Sequence, residues 1–146
     1  MRIRDVMTPA ADIVTIGPDA PVSRAVHLLM THSIGALPVM GDERSPLGLI
    51  AERDVVRALH VHEGHIMDLP VQRVMRSPPP LCDVDDPVNR IMARMTRERT
   101  RHLLVREEAH LVGIVSVGDL LKQRLRDLEL EAGVLRDYVS AQRSRR

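Results

Sequence analysis

Gly48-Leu49-Ile50-Ala51-Glu52-Arg53-Asp54 returns 65 residues later as Gly113-Ile114-Val115-Ser116-Val117-Gly118-Asp119. In each stretch an apolar run closes on a small residue, and an aspartate follows three positions on. That is the pattern of a strand ending where a helix opens. The echo extends upstream. Ser33-Ile34-Gly35-Ala36-Leu37-Pro38-Val39 is answered by Arg101-His102-Leu103-Leu104-Val105. A segment opened by Pro21 is answered 66 residues on at Pro87-Val88, and Val6-Met7-Thr8-Pro9 by Val74-Met75-Arg76-Ser77-Pro78, with Met7 and Met75 68 residues apart. So small a drift marks two copies of one supersecondary unit, each too small to bury its own apolar face. A cleft between paired copies is the natural place for a ligand.

Each copy reads as strand, helix, strand, strand, helix, an α/β unit. In the first, Asp12 to Ile16 is a β-branched run stopped by Gly17-Pro18, and Asp19 with Pro21 opens a helix. Val22, Val26, Leu29 and Met30 give that helix one apolar face. Ala36 to Met40 and Leu47 to Ala51 are strands joined by the polar turn Gly41 to Pro46, and a short helix carries Val55, Val56 and Leu59. In the second copy Leu81 to Val84 is a strand, and Val88, Ile91, Met92 and Met95 face the core from the next helix. His102 to Arg106 and Leu111 to Ser116 are strands joined by the turn Glu107 to His110. His60 to Leu69 reads as a polar loop. The domain reading is a first repeat with its linker over 1–66, a second over 67–125, and a C-terminal helix and tail over 126–146. In that extension Leu121, Leu125, Leu128, Ala132, Leu135 and Val139 form a heptad-like seam, short and weakened by Gly133. It is expected to pack against its own domain or a partner subunit and not to stand as an independent coiled coil. Ser140 to Arg146 reads as a frayed tail.

Composition narrows the function. At 44% hydrophobic and 28% charged the chain is ordinary for a globular domain. It has no Phe, no Trp and only Tyr138, so its core rests on aliphatic residues and eight Met; Met30, Met92 and Met95 read as core filler. A net charge of +1 gives no strong field for nucleic acid, and aromatic platforms for single strands are missing. No apolar run approaches the ~20 residues that span a bilayer. The lone Cys82 cannot form an internal disulfide, which fits a reducing compartment, and the expected place is the cytoplasm. No nucleophile, base and orienting group stand together, so there is no catalytic residue to name and no enzyme is expected. His60, His62, His65 and Glu63 are metal-ligating types in the linker loop, read as solvated polar residues with no metal.

The sharpest chemistry lies in Ser116 and Asp119. The first N–H groups of a helix are unpaired and carry the positive end of its dipole, so they attract phosphate, and Ser116 adds a donor. Asp119 is acceptor-only when ionised and suits the two hydroxyls of a ribose. The same Ser-x-x-Asp spacing also makes a capping box that only stabilises the helix start. Spacing leaves both readings open.

The ordered duplicate set over residues 3 to 125 resembles a tandem pair of CBS domains, the cystathionine β-synthase type, forming one Bateman module. The resemblance implies two α/β units related by a pseudo-two-fold, with two symmetry-related clefts. Clefts of this family commonly take AMP, ADP, ATP, NAD or S-adenosylmethionine in a regulatory, non-catalytic role. By motif, the resemblance assigns Asp119 to ribose and Ser116 to phosphate in a main cleft. Thr8, Ile13, Val14, Ile34, Gly35, Ala36, Leu37 and Pro38 come to that cleft from the other repeat. The second cleft would use Arg53 and Asp54 with Ser77, Leu81, Arg101 and His102. Ala51 stands where the family has Ser or Thr, and Leu104 where the first copy has Pro38. The second cleft is therefore expected to be the weaker, by ~1.5–3 kcal/mol for one lost bond to a charged phosphate. The family also implies a homodimer and a regulated partner protein of unknown identity, with no catalytic cofactor. A structural dimerisation module with empty clefts is the alternative.

Overall fold

The structure is a computed structural model describing residues 1–42 and 44–144. Glu43 of the first polar turn and Arg145 and Arg146 of the tail lie outside the described residues. After a 3₁₀ turn at Ile3–Asp5 comes a two-residue strand β1 (Thr8–Pro9), followed by helix α1 (Val22–Thr31), hairpin β2 (Ala36–Met40) and β3 (Pro46–Ala51), and helix α2 (Glu52–Val61). The second copy supplies β4 (Leu81–Asp83), α3 (Val88–Glu98), hairpin β5 (His102–Glu107) and β6 (His110–Ser116), and a long α4 (Val117–Ser144).

The α/β duplication expected from the repeats is present, and the copies are built into each other. β1 pairs antiparallel with β6 of the second copy, Thr8 opposite Ile114. Reciprocally, Arg76 bridges Leu49 of β3 in the first copy. Ile3 N–H donates to Asp86 O at 3.0 Å, while Val71 N–H donates to Ala20 O at 2.8 Å. The opening segment of each repeat thus completes the other repeat's sheet and core. Ile3 is buried among Val84, Ile91 and Leu103, and Val71 among Ala25, Leu37 and Ile50. Ala36, Leu49 and Leu104 pack between the two hairpins and join the halves. Two glycines make the crossings possible. A Cβ on Gly48 would stand 2.8 Å from Arg76 O, and one on Gly113 2.8 Å from Thr8 O, with Met75 and Met7 lying over the respective sites.

Several sequence expectations need correction. Asp12 to Ile16 is not a strand: Ala10–Asp12 is a 3₁₀ turn, and only Ile16 bridges Val39. In the second copy Val84 N–H donates to Arg106 O and extends the pairing beyond β4. Its counterpart is Pro18, which has no N–H to give. α1 starts at Val22 with Pro21 as N-cap and no side-chain cap from Asp19. Its buried arc is Val22, Ala25, Leu28 and Leu29, and Met30 is 75% exposed. Met30 lies roughly 140° around the helix from Ala25 at 3.6 residues per turn, so it is not core filler. The linker is more than a polar loop, because α2 runs to Val61 and Ile66 is fully buried against Val22 and Ala58. The supposed frayed tail continues α4 as far as Ser144. No helix among the described residues is long and apolar enough to cross a membrane.

Candidate functional site

Two clefts open where the hairpin of one copy meets the helix start of the other, on either side of a shared wall made by Gly35 and His102. The fold places them there because β3 and β6 end at equivalent points, and α2 and α4 begin at once with their unpaired N–H groups facing the junction.

The smaller cleft, about 270 Å³, lies at the start of α4. It gathers Thr8, Ile13, Val14, Ile34, Gly35, Ala36, Ser116 and Asp119. Leu37 and Pro38 do not reach it: Leu37 is fully buried beneath the hairpin and Pro38 is buried in β2. Period-two alternation turns Leu37 into the core beneath α1, while Pro38 lies one step further along β2 from the cleft than Ala36. Asp12, Ser33 and Ile114 also line it, and the motif reading did not include them. The pairing of Thr8 with Ile114 is the signal that would have added the last.

Ser116 and Asp119 form a reciprocal cap, with Ser116 N–H donating to Asp119 Oδ2 at 3.1 Å and Asp119 N–H to Ser116 Oγ at 3.1 Å. The cap leaves Asp119 Oδ1 and the Ser116 hydroxyl proton without partners among the described residues. Asp12 and Asp119 make the lining acidic, with His102 as its one basic group. Burial pushes the His102 imidazole below its ordinary value; Asp119 and Glu52 draw it back up, and Arg101 lowers it further.

The larger cleft, about 630 Å³, lies at the start of α2. It brings together Arg53, Asp54, Arg101 and His102 as the motif reading placed them. Ser77 and Leu81 are elsewhere. Ser77 Oγ donates to Leu47 O at 2.9 Å, and Leu81 packs against the core between the hairpins. Pairing explains the miss, since Arg76 sits opposite Leu49 as Thr8 sits opposite Ile114. Arg76, not Ser77, is therefore the structural counterpart of Thr8. Arg57 and Arg99 bring the arginines of the lining to five, against Glu52, Asp54 and Glu98. Asp54 Oδ2 accepts the Ala51 N–H at 2.8 Å and its Oδ1 faces Arg57 at 3.6 Å. Ala51 supplies no hydroxyl, so this helix start has half of the cap seen at α4. Arg53 donates to Arg99 O at 3.2 Å and Arg76 to Thr100 Oγ1 at 3.3 Å, which holds two guanidinium groups at the cleft wall.

The two clefts thus share an architecture and differ in charge: one is acidic and narrow, the other wide and rich in arginine. Outside them, the linker histidines do not converge, and no group of three His, Cys, Asp or Glu side chains among the described residues is placed to hold a metal ion. Cys82 is buried, and burial pushes its thiol up to about 12, leaving it without thiolate character at neutral pH.

Comparison with known proteins agrees with the repeat pattern. The family described as CBS domain matches residues 3–61 and again 71–126. An uncharacterized protein of Methanocaldococcus jannaschii is 30% identical over 122 residues, 82% of this chain and 41% of that protein, so the chain spans about two fifths of this relative's length. The crystal structure of a CBS-domain containing protein from Agrobacterium tumefaciens superposes with a TM-score of 0.77 at 31% identity, covering 85% of this chain and 99% of that one. The fold is also that of CBSX2, solved in complex with AMP, at a TM-score of 0.71 and 20% identity over 86% of this chain and 96% of that one.

Proposed function

The chain belongs to the CBS-domain family, and from that membership we propose that it is a regulatory sensor, not an enzyme, whose clefts take adenosine compounds. The observation that carries this reading is the duplicated cleft mouth. At each, a helix opens with an aspartate three residues in, Asp54 or Asp119, facing strand residues contributed by the other repeat. Asp119, with one oxygen engaged in capping, still has the other for ribose hydroxyls, Asp54 shares its second oxygen with Arg57 at 3.6 Å, and the helix N–H groups remain for phosphate.

The charge difference then divides the ligands. The arginine-rich cleft suits ADP or ATP, whose phosphates accept paired N–H bonds from guanidinium groups. At about 630 Å³ it falls within the roughly 300–1,000 Å³ of small-molecule sites. The acidic cleft suits a ligand with less negative charge than ATP, S-adenosylmethionine with its cationic sulfonium first and AMP next. This reverses the ranking expected from Ala51 alone, because five arginines outweigh one missing hydroxyl for a polyphosphate. The CBSX2 complex with AMP supports an adenine nucleotide as a ligand of this fold. Occupancy would bias the module's shape, or its association with a second copy, and a partner protein would read that bias. Such coupling requires different ligand affinity in two states.

Calorimetric titration with AMP, ADP, ATP, NAD and S-adenosylmethionine tests the reading. With no Trp and one Tyr, the chain absorbs little at 280 nm, so a co-purified adenine compound would dominate the spectrum at 260 nm and be identified by mass spectrometry after denaturation. ATP is expected to bind the Asp54 cleft, and to lose affinity at least tenfold in Arg53→Ala with Arg101→Ala. Absence of a 260 nm peak together with no heat from any of the five would favour a structural dimerisation module with empty clefts.

A further inference from the structure

α4 outruns the fold it belongs to. Leu120 is 1% exposed in the core of the second copy, yet the seam residues after it are open, Leu125 59% and Leu135 64%. In heptad terms Leu121, Leu128 and Leu135 occupy d, and Leu125, Ala132 and Val139 occupy a. Leucine at the three d positions of the seam, with small or aliphatic residues at a, suits a two-stranded seam. The flanking charges decide the rest. Arg124 and Glu131 fall at g, Glu129 and Arg136 at e, and none of the four is in an ion pair within the chain among the described residues.

We propose that α4 forms a parallel, in-register coiled coil with α4 of a second copy of this chain. In parallel pairing each g residue meets the e residue five positions on in the other strand. Arg124 then meets Glu129 of the second copy and Glu131 meets Arg136, giving opposite charges at every full g–e contact of the seam. Tyr138 and Arg143 occupy the next g–e contact, where a guanidinium can lie over the ring. Reversal about the middle of the seam brings e against e and g against g. Glu129 would then face Glu129, Glu131 would face Glu131, and Lys122 would face Arg136. Charge complementarity therefore selects both the partner and its direction. Leu130 and Val134 fall at f and c, outside the seam. The inference rests on the second-copy expectation and does not depend on the ligand reading.

Val139→Cys in the full chain tests direction. Parallel register brings the two introduced thiols within the ~4.4–6.8 Å Cα separation of a disulfide, whereas the reversed strand holds them ~27 Å apart at 1.5 Å per residue. Rapid cross-linking under mild oxidation is expected, with the buried Cys82 of the unsubstituted chain as the background control. Glu129→Arg should weaken the dimer about tenfold by light scattering across a dilution series, and adding Arg124→Glu should restore it. A dimer that neither cross-links at position 139 nor responds to Glu129→Arg associates through another face, which overturns the coiled coil and leaves the second-copy expectation standing. A monomer at tens of micromolar overturns both. Each substituted position is exposed and outside the core, so the fold tolerates the variants.

Discussion

Asp119 and Ser116 hold each other across the first turn of α4, the carboxylate accepting the Ser116 N–H while the Ser116 hydroxyl oxygen accepts the Asp119 N–H, both at 3.1 Å. The sequence left capping and ribose binding as rival explanations of this pair, but the geometry makes them compatible. The cap uses one carboxylate oxygen and one hydroxyl lone pair. Asp119→Ala is therefore expected to cost ~1 kcal/mol of stability through the lost cap. It should also cost ~2–3 kcal/mol of adenosine affinity through a lost charge-assisted bond. Asp119→Asn keeps most of the cap and gives up the charge, so its melting temperature should stay near that of the native chain while its affinity falls. Calorimetry beside thermal unfolding separates the two losses, and unchanged affinity in Asp119→Ala would remove the ribose role.

Ala51 is the counterpart of Ser116, and it precedes a helix whose N-cap makes no side-chain hydrogen bond. Ala51→Ser should supply the missing half of the cap, since Asp54 already accepts the Ala51 N–H at 2.8 Å. A gain of about 0.5–1 kcal/mol is expected from the cap, seen as a higher urea midpoint at constant slope. A phosphate ligand in the arginine-rich cleft should tighten as well, because the new hydroxyl oxygen would accept the Asp54 N–H and leave its proton to donate to a phosphate at that helix start. A stabilised protein with unchanged nucleotide affinity would place the phosphates away from residue 51.

Gly48 and Gly113 tie the two repeats together, and each is expected to resist even a methyl group. The added carbon would stand 2.8 Å from a backbone carbonyl of the crossing segment, Arg76 O or Thr8 O, and backbone cannot swing aside as the overlying methionines can. Gly113→Ala and Gly48→Ala should each destabilise by ~1–3 kcal/mol, the range of an overpacked core. Gly133→Ala is the contrast. It sits mid-helix with open space around it, and should gain about 0.5–1 kcal/mol from helix propensity alone. Chemical unfolding of the three variants checks the contrast. A Gly113→Ala protein as stable as the native chain would mean that β1 can lift from β6.

The repeat was legible because it is written in residue types that do not depend on partners: the glycine within each third strand, the aspartate after that strand, and the proline before the first helix of each copy. What the sequence hid is what crosses between the copies. Matching Ser77-Pro78 to Thr8-Pro9 by residue type selects Ser77, whereas the antiparallel bridge to Leu49 puts Arg76 at the cleft. Ile13 and Val14 were assigned to the small cleft from a supposed strand, and they line it from an irregular segment after a 3₁₀ turn. The motif assigns the whole run Ile34 to Pro38, Leu37 included, but alternation along β2 sends neighbouring side chains to opposite faces. The arginines of the large cleft, Arg57, Arg76 and Arg99, come from three separate elements and share no motif. Only the folded chain adds their charges together.

His102 forms the wall between the clefts, and its titration should report on both. Burial holds its imidazole below the ordinary value, while Asp119 on one side and Glu52 on the other pull it upward. A histidine with a lowered folded-state pKa binds its proton later than the same residue in the unfolded chain, whose value is about 6.5. Its contribution is fully present above that unfolded value. It is lost as pH falls, because the unfolded chain takes up the proton first, and the loss levels off below the folded value. Stability should accordingly rise with pH across that window, by at most ~1.4 kcal/mol per pH unit for one proton. Nuclear magnetic resonance of the imidazole, assigned with His102→Gln, gives the folded value directly. Asp119→Asn removes an attractive charge and should lower it further, whereas a nucleotide phosphate bound in either cleft should raise it. A titration at or above 6.5 in the ligand-free protein would contradict the buried wall.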